Sequence, residues 1–238
     1  MIAMHPFEKQ AWASWLNCPA NTFDTPGLGF HSNPNLDRTL QLIVLVSRSR
    51  VDISLPTQRM SQLRHCLEPL QTRSLVSLTD VFNVVASQAK HFGYILYQAY
   101  TGVAQVVLYP SQQVVFLAPP QLKHLEALRH ACTEIEWEHS GLHQGSTNTF
   151  GLFDHGMLAA AAHYLEYPSG LASLGILTHP AYRGLGYSKL VASAAAQNAF
   201  AQGRLLHFQT VLENQAARQV AVQLGCEQFG YSCRIALH

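Results

Sequence analysis

The sequence predicts an α/β protein with a mixed, mostly antiparallel sheet that contains a splayed parallel pair and is flanked by helices. Two observations support this prediction. From residue 147 onward the hydrophobic periods follow the order β-β-β-α-β-α-β, in which antiparallel hairpins precede a βαβ crossover. Apolar types make up 48% of the 238 residues, which provides a sizeable core and excludes wholesale disorder.

The length fits one large domain or two small ones. We expect two: a smaller α/β accessory domain at residues 1–110 and a second domain at residues 111–238, joined at the turn Pro110–Gln113. In the first, a helix starts at Pro6, and the prolines and glycines between Pro19 and Pro34 predict irregular structure. The other predicted elements there are strands at 41–46, 50–55, 94–97 and 104–109 and helices at 57–70 and 79–90.

In the second half, strand and helix signals alternate regularly. Asp154-His155-Gly156 has the composition of a hairpin turn, and Gly203 and Gly225 predict the ends of two helices. The predicted strands are 114–117, 148–153, 157–164, 171–178, 205–211 and 232–237, and the predicted helices follow Pro119-Pro120 and cover 187–202 and 215–224.

Composition restricts the class of partner. Charged residues are 12% of the chain, against an average of about 25%, and the net charge is +1. This balance argues against a nucleic-acid or membrane partner. The five scattered cysteines contain no Cys-x-x-Cys, which favours reduced thiols and no structural zinc. With no signal-peptide pattern and no apolar run near the ~20 residues of a membrane span, we expect a cytoplasmic protein.

The strongest chemical signal is the junction between the strand ending at Thr178 and the helix starting at Tyr187. Pro180 cannot donate to a sheet ladder, so the strand can separate from its neighbour there. Gly184 and Gly186 allow close backbone approach, and the helix N-terminus that follows suits a pyrophosphate. The loop matches neither the Rossmann nor the Walker pattern.

This junction, from His179 to Ser188, resembles the cofactor motif of the GNAT superfamily of acyl-CoA-dependent N-acyltransferases, x-Pro-x-Tyr-Arg-Gly-x-Gly-x-Gly/Ala. Ser188 stands where Gly or Ala is usual. Downstream, Asn214 and the Leu-Gly pair before Cys226 match the family's second motif, except that Cys226 replaces a Phe. The resemblance covers residues 113–238. Residues 1–110 more weakly resemble the accessory halves of two-part members such as the glycine N-acyltransferase-like branch.

The resemblance implies that acetyl-CoA, or a longer acyl-CoA, lies between the strands at 171–178 and 205–211. A backbone N–H on the splayed strand would hold the thioester oxygen. The implied cofactor-binding residues are Ile176, Leu177, Thr178, Arg183, Gly184, Leu185, Gly186, Tyr187, Ser188 and Asn214.

The catalytic residues are less defined by the resemblance. Many members protonate the leaving thiolate with a Tyr seven residues after the motif Asn, where this chain has Ala221. The remaining acids are Tyr187, Ser188, Tyr231 or water. The candidates for the general base that deprotonates the amine are Glu134, Glu136, Glu138 and His139, of which Glu138 and His139 come first. The alternative is that these residues form only a solvated acidic turn anchored by Trp137.

Other polar residues favour no second chemistry. His139 and His143 are spaced like helical zinc ligands, but Gly141 argues against a helix there, so no metal is predicted. We expect His207 to be a packed strand residue. Ser173 and Ser188 lack the context of a serine hydrolase.

We therefore predict an N-acetyltransferase that moves an acetyl group from acetyl-CoA to a primary amine of a small molecule by direct attack. A homodimer is a further expectation. One alternative is a non-catalytic acyl-CoA-binding regulatory protein, for which Ala221 is the motivation. Another is an α/β nucleotide binder whose glycine loop holds a different phosphate.

Overall fold

The computed structural model describes residues 4–47, 49–73, 76–89, 95–102, 107–109, 111–143, 147–167 and 170–238. Its helices are α1 Pro6–Leu16, α2 Met60–Leu67, α3 Leu78–Val85, α4 His124–Ala131, α5 Glu134–Ser140, α6 Tyr187–Ala201 and α7 Gln215–Gln223. Its strands are β1 Gly27–Asn33, β2 Gln41–Ser47, β3 Arg50–Pro56, β4 Ile95–Gly102, β5 Val114–Phe116, β6 Thr149–Asp154, β7 Met157–Glu166, β8 Leu171–Thr178, β9 Leu205–Val211 and β10 Glu227–Ala236.

The chain divides into two compact units. Unit 1 contains Met1–Ala99 together with Phe229–His238, and unit 2 contains Tyr100–Gln228. The predicted domain boundary at residue 110 stays a prediction. The end of the chain, expected in the second domain, is grouped with unit 1, because β10 pairs antiparallel with β2 from Gly230 to Ala236.

In unit 1, β1 pairs parallel with β3, and β2 pairs antiparallel with β3. The prediction of irregular structure between Pro19 and Pro34 is wrong for Gly27–Asn33, which is β1. Gly29 accounts for the error. A Cβ at Gly29 would lie 2.4 Å from Oδ1 of the buried Asp52, so the glycine makes room for a side chain instead of breaking a strand. Asp52 is held there by Arg50 Nε at 2.8 Å and by His31 Nε2 at 2.8 Å.

In unit 2, the strands lie in the order β9-β8-β7-β6-β5, with β8–β9 parallel and the other pairs antiparallel. This confirms the predicted mixed sheet. Helices α6 and α7 pack on one face, where α6 presents Val191, Ala192, Ala195 and Ala199 to the strands. Helices α4 and α5 cover the other face through Leu125, Leu128 and Trp137.

Turn chemistry agrees with the sequence at several points. His155 and Gly156 have φ of 46° and 79°, as a two-residue hairpin turn of type I′ requires, between β6 and β7. Of the strand predicted at Ala104–Tyr109, residues 104–106 lie outside the described residues, and 107–109 are not in a strand.

Two kinds of feature are absent from the described residues. No helix there is long and apolar enough to cross a membrane. Nor does that part of the chain contain a group of three or more His, Cys, Asp or Glu side chains that could hold a metal ion.

Candidate active site

The central feature of unit 2 is a gap that opens between the two parallel strands. In the described residues, β9 pairs with β8 only from Leu171 to Ser173. On its other side, β8 pairs with β7 as far as Thr178. The two parallel strands therefore separate after Ser173, and the second half of β8 is an open edge on the β9 side.

Two backbone hydrogen bonds show which residues face this gap. The N–H of His179 donates to the carbonyl of Ala159 in β7 at 2.9 Å, and the N–H of Leu205 in β9 donates to the carbonyl of Gly170 at 2.9 Å. Because successive strand residues direct their backbone groups to opposite sides, odd-numbered residues of β8 face β7 and even-numbered ones face β9.

Leu174, Ile176 and Thr178 therefore direct their N–H and C=O groups into the gap. Of the three predicted cofactor-binding residues in β8, the structure places Ile176 and Thr178 there. The backbone groups of Leu177 face β7, and its side chain is buried in the cluster beneath α4 and α5. The side-chain Oγ1 of Thr178 is buried and has no hydrogen-bond partner among the described residues.

The glycine loop follows directly from this open edge. Gly184 and Gly186 both adopt left-handed backbone, with φ of 81° and 79°, which side chains disfavour. A Cβ on Gly184 would meet nothing within 4 Å, so the loop surface is open. Gly186 is the N-cap of the 15-residue α6 and provides no capping side chain, so the first N–H groups of α6 remain available to an anion.

Lys189 and Arg183 bring positive charge to the loop. Lys189 Nζ lies 4.7 Å from the centre of the Tyr109 ring, and a Cβ on Gly186 would be 3.4 Å from Lys189 Cε. Arg183 is exposed and its guanidinium contacts Glu136 of α5 at 2.8 Å. The cation of Lys189 therefore lies beside the first turn of α6, where it favours an anionic ligand.

Tyr187, predicted as a general acid, has its hydroxyl engaged by the β6–β7 hairpin. The hydroxyl donates to Asp154 Oδ2 at 2.8 Å, and this hydrogen bond to a carboxylate raises the pKa of Tyr187. The hairpin lies on the β7 side of β8, whereas the gap lies on the β9 side. The general-acid role stays a prediction, and the contact with Asp154 favours a positioning role for the side chain.

We accordingly expect Tyr187→Phe to keep kcat within about threefold of wild type, because its hydroxyl is already bound to Asp154. Steady-state kinetics of acyl transfer measures this, with Asp154→Asn as the matched variant that removes the other partner. A hundredfold loss of kcat in Tyr187→Phe, with unchanged acyl-CoA affinity, would identify Tyr187 as the acid.

Glu138 and His139, the favoured base candidates, are exposed on the outer side of α5. Neither side chain forms a hydrogen bond or ion pair with a described residue. Trp137 and Ser140 point inward instead. The sequence analysis did not predict this helix. It ends at Gly141, a left-handed C-cap with φ of 66°, so His139 and His143 do not share a helix, as Gly141 led us to expect.

The second family motif forms the start of α7. Asn214 is the N-cap, and its Oδ1 accepts the N–H of Ala217 at 3.0 Å, which leaves its Nδ2 directed elsewhere. Ala221 is 1% exposed and packs in the core together with Val220 and Leu224. The position where many members have a tyrosine therefore provides no proton donor here.

A buried histidine in β7, on the other side of β8 from the gap, was not predicted from the sequence. His163 in β7 is 1% exposed, and its Nε2 lies 3.1 Å from the carbonyl of Ser140 at the end of α5. On β8, Gly175 lies directly opposite His163. A Cβ at Gly175 would be 1.9 Å from the Ser140 carbonyl and 2.6 Å from His163 Nε2, so α5 approaches β8 closely only because residue 175 is glycine.

His207, expected to be a packed strand residue, is 1% exposed in β9. Burial lowers the pKa of both His163 and His207 from 6.5 to about 4. Both imidazoles are therefore neutral near pH 7, and the Nε2–H of His163 donates to the Ser140 carbonyl.

These two histidines predict acid sensitivity. Between pH 6.5 and 4 the unfolded chain binds protons that the folded chain does not, so stability is complete above pH 6.5 and falls as the pH drops towards 4. The pKa shift of each histidine corresponds to about 3 kcal/mol in the free energy of unfolding. Thermal melting at several pH values measures it, and His163→Gln should flatten the dependence. The exposed His130→Gln should not, and equal slopes in all three proteins would contradict the assignment.

Comparison with known proteins gives a match to a family model and matches to solved structures. The model of the acetyltransferase (GNAT) family matches residues 116–226. No curated protein matches the sequence significantly.

Among solved structures, an acetyltransferase of the GNAT family from Colwellia psychrerythraea is 17% identical, with a TM-score of 0.56, covering 78% of this chain and 76% of that one. A GNAT-family structure from Novosphingobium aromaticivorans is 20% identical, with a TM-score of 0.52, covering 61% of this chain and 66% of that one, just under two thirds of its length. A GCN5-related N-acetyltransferase from Sphaerobacter thermophilus is 12% identical, with a TM-score of 0.50, covering 82% and 76%.

At these identities the structural matches show the fold. The family model adds the sequence pattern, and it spans the splayed strand, the glycine loop and helices α6 and α7. Residues 116–226 of this chain therefore form a domain of the acetyltransferase (GNAT) family.

Proposed function

We propose that this protein transfers an acetyl group from acetyl-CoA to a primary amine of a small molecule. The observation that carries the proposal is the continuity of the open β8 edge with the glycine loop. An extended pantetheine arm can pair with the backbone of Ile176 and Thr178 as an added strand. The pyrophosphate at its end then reaches the N–H groups between Arg183 and Ser188.

The residues present fit such a ligand. Thr178 Oγ1 is a buried polar atom with no hydrogen-bond partner among the described residues, and the positive-φ glycines leave backbone exposed at the start of α6. The Nδ2 of Asn214 can donate to the amide arm from the β9 side. When bound, the acyl-CoA supplies an activated thioester.

In the reaction, the amine nitrogen attacks the thioester carbonyl carbon. The C–N bond forms, the C–S bond breaks, the amine loses a proton and CoA leaves as a thiol. A backbone N–H on the open half of β8 stabilises the negative charge that develops on the carbonyl oxygen. Because this donor is fixed by the β7–β8 ladder, it needs no rearrangement during the reaction.

Proton transfer involves groups that reach solvent. Glu138 and His139 are exposed, so a proton would pass from the amine to them through water. Glu136 is a weaker base candidate, because Arg183 and Thr133 occupy its carboxylate. With Ala221 buried, water is the simplest donor to the leaving thiolate.

The near-neutral chain supports a small amine rather than a strongly charged macromolecule as acceptor. Calorimetric titration with acetyl-CoA, ATP and NAD, followed by thiol release with a panel of primary amines, tests both halves of the proposal. We expect micromolar binding of acetyl-CoA alone, about −8 kcal/mol, and turnover with at least one amine. Preference for ATP or NAD would overturn it.

The buried Ala221 favours a second candidate, a non-catalytic acyl-CoA-binding protein, because the usual proton donor is absent. The same experiment separates the two. Micromolar acetyl-CoA binding without thiol release above the spontaneous rate, across the whole amine panel, would support the binding protein and contradict the enzyme.

A further inference from the structure

One side chain of the glycine loop connects three parts of the site. Arg183 Nη2 donates to Glu136 Oε1 of α5 at 2.8 Å, and Arg183 Nε donates to the carbonyl of Thr178 at 3.4 Å. Arg183 therefore joins the loop, the end of the open strand and the helix on the opposite side of the sheet from α6. Its guanidinium is directed at α5.

Glu136 also organises the start of α5. Its Oε2 accepts the N–H of Thr133 at 3.0 Å, and Thr133 Oγ1 accepts the N–H of Glu136 at 3.3 Å, which forms a capping box. Although partial burial would raise it, the bonds from Thr133 and the charge of Arg183 lower the pKa of Glu136. The carboxylate is thus ionised at neutral pH, and the first turn of α5 is tied to Arg183.

Helix α5 follows the open half of β8 closely. At its C-terminal end the Ser140 carbonyl packs over Gly175, and just before its first turn Cys132 Sγ lies 3.8 Å from the Thr178 carbonyl. Leu174 and Ile176 direct their side chains to the α6 face. These two side chains occupy the α6 face of the open half, so we take the α5 face as the side from which an acceptor reaches a thioester in the gap.

The strength of the ion pair indicates what it does. The side chains of Arg183 and Glu136 are 48% and 36% exposed. Pairs of such exposure typically contribute only about 0–1 kcal/mol to the free energy of folding. The ion pair between Arg183 and Glu136 therefore adds little to the stability of the protein. Its geometric effect, which sets the distance between α5 and the end of β8, is the larger consequence.

We propose that Arg183 is a positioning residue for the acyl acceptor: through Glu136 it holds α5 as the wall of the acceptor site, while backbone N–H groups of the loop hold the phosphate. This inference rests on the proposed acyl-CoA site.

Glu136→Gln is the decisive variant, because glutamine keeps the capping box and removes only the charge paired with Arg183. With the best amine of the panel, we expect the acceptor KM to rise at least fivefold. The calorimetric Kd for acetyl-CoA should change less than twofold, and Tm by less than about 1 °C. The control Glu126→Gln, which removes an exposed carboxylate near Arg129 on α4, should leave all these quantities unchanged.

The double variant Glu136→Gln/Arg183→Gln tests whether the two residues act as a pair. Its acceptor KM should equal that of Arg183→Gln, since the pair is already broken. A KM that is the product of the two single effects would contradict coupling.

Hydrogen exchange provides a readout that does not need turnover. In the acetyl-CoA complex of Glu136→Gln, amides of residues 134–140 should exchange at least fivefold faster than in wild type, whereas those of 183–188 should remain equally protected. If Glu136→Gln instead changes the acetyl-CoA Kd more than fivefold and leaves α5 exchange unaltered, Arg183 serves the phosphate and the inference is wrong. Failure of the proposed function would differ, because wild type itself would then not bind acetyl-CoA, which would overturn both.

Discussion

Gly186→Glu should abolish acetyl-CoA binding, raising the Kd at least a hundredfold. The substitution adds a carboxylate at the N-cap of α6, where the pyrophosphate is expected, and like charges repel at short range. The new side chain also starts 3.4 Å from Lys189 Cε, so it can pair with the cation that would attract the phosphate. Calorimetric titration measures the loss.

Gly186→Asn is the matched control. Asparagine tolerates the left-handed backbone at φ of 79° and carries no charge. We expect its acetyl-CoA Kd to stay within about tenfold of wild type, with far-UV circular dichroism unchanged in both variants. Equal binding by Gly186→Glu and wild type would place the phosphate elsewhere and remove the main support for the proposed site.

Gly175→Ala should strongly destabilise the protein. The new Cβ would lie 1.9 Å from the Ser140 carbonyl, a backbone atom that can move only if α5 moves. Overpacking of this kind costs about 3 kcal/mol, or roughly 6–12 °C in Tm for a protein of this size. Because α5 is displaced from β8, acyl transfer should also fall at least tenfold.

Ser173→Ala, two residues earlier on the same face of β8, controls for a small change in this strand. It removes an oxygen and adds no atom, so we expect a Tm within about 1 °C of wild type. Thermal melting of the three proteins checks the difference. An unchanged Tm in Gly175→Ala would show that α5 does not pack against residue 175.

The elements that could be predicted from the sequence are those whose signal is local. The hairpin around His155, the helix ends at Gly203 and Gly225 and the glycine loop before α6 depend on residues that are adjacent in the chain, and all are confirmed. The cofactor-binding assignment rests on the same local pattern. It stays a prediction, and the structure supplies an open strand edge beside it.

Elements that depend on distant partners could not be predicted this way. Strand β1 forms despite its glycines because it pairs with β3, where Asp52 occupies the space beside Gly29. Helix α5 was missed for another reason. The capping box of Thr133 and Glu136 that starts it is a local signal, but the acidic residues after Thr133 were interpreted as a turn anchored by Trp137.

The sequence by itself indicated the GNAT resemblance of the second half, the order of its α/β elements and the loop that suits a phosphate, because each depends on short-range periodicity or backbone freedom. Only the tertiary structure decided which residues of β8 direct their backbone groups into the gap, that Arg183 reaches Glu136, that Tyr187 binds Asp154 and that His163 is buried against Ser140. The physical reason is that the partners in these contacts are brought together by sheet register and helix packing. No pattern along the chain encodes their distances.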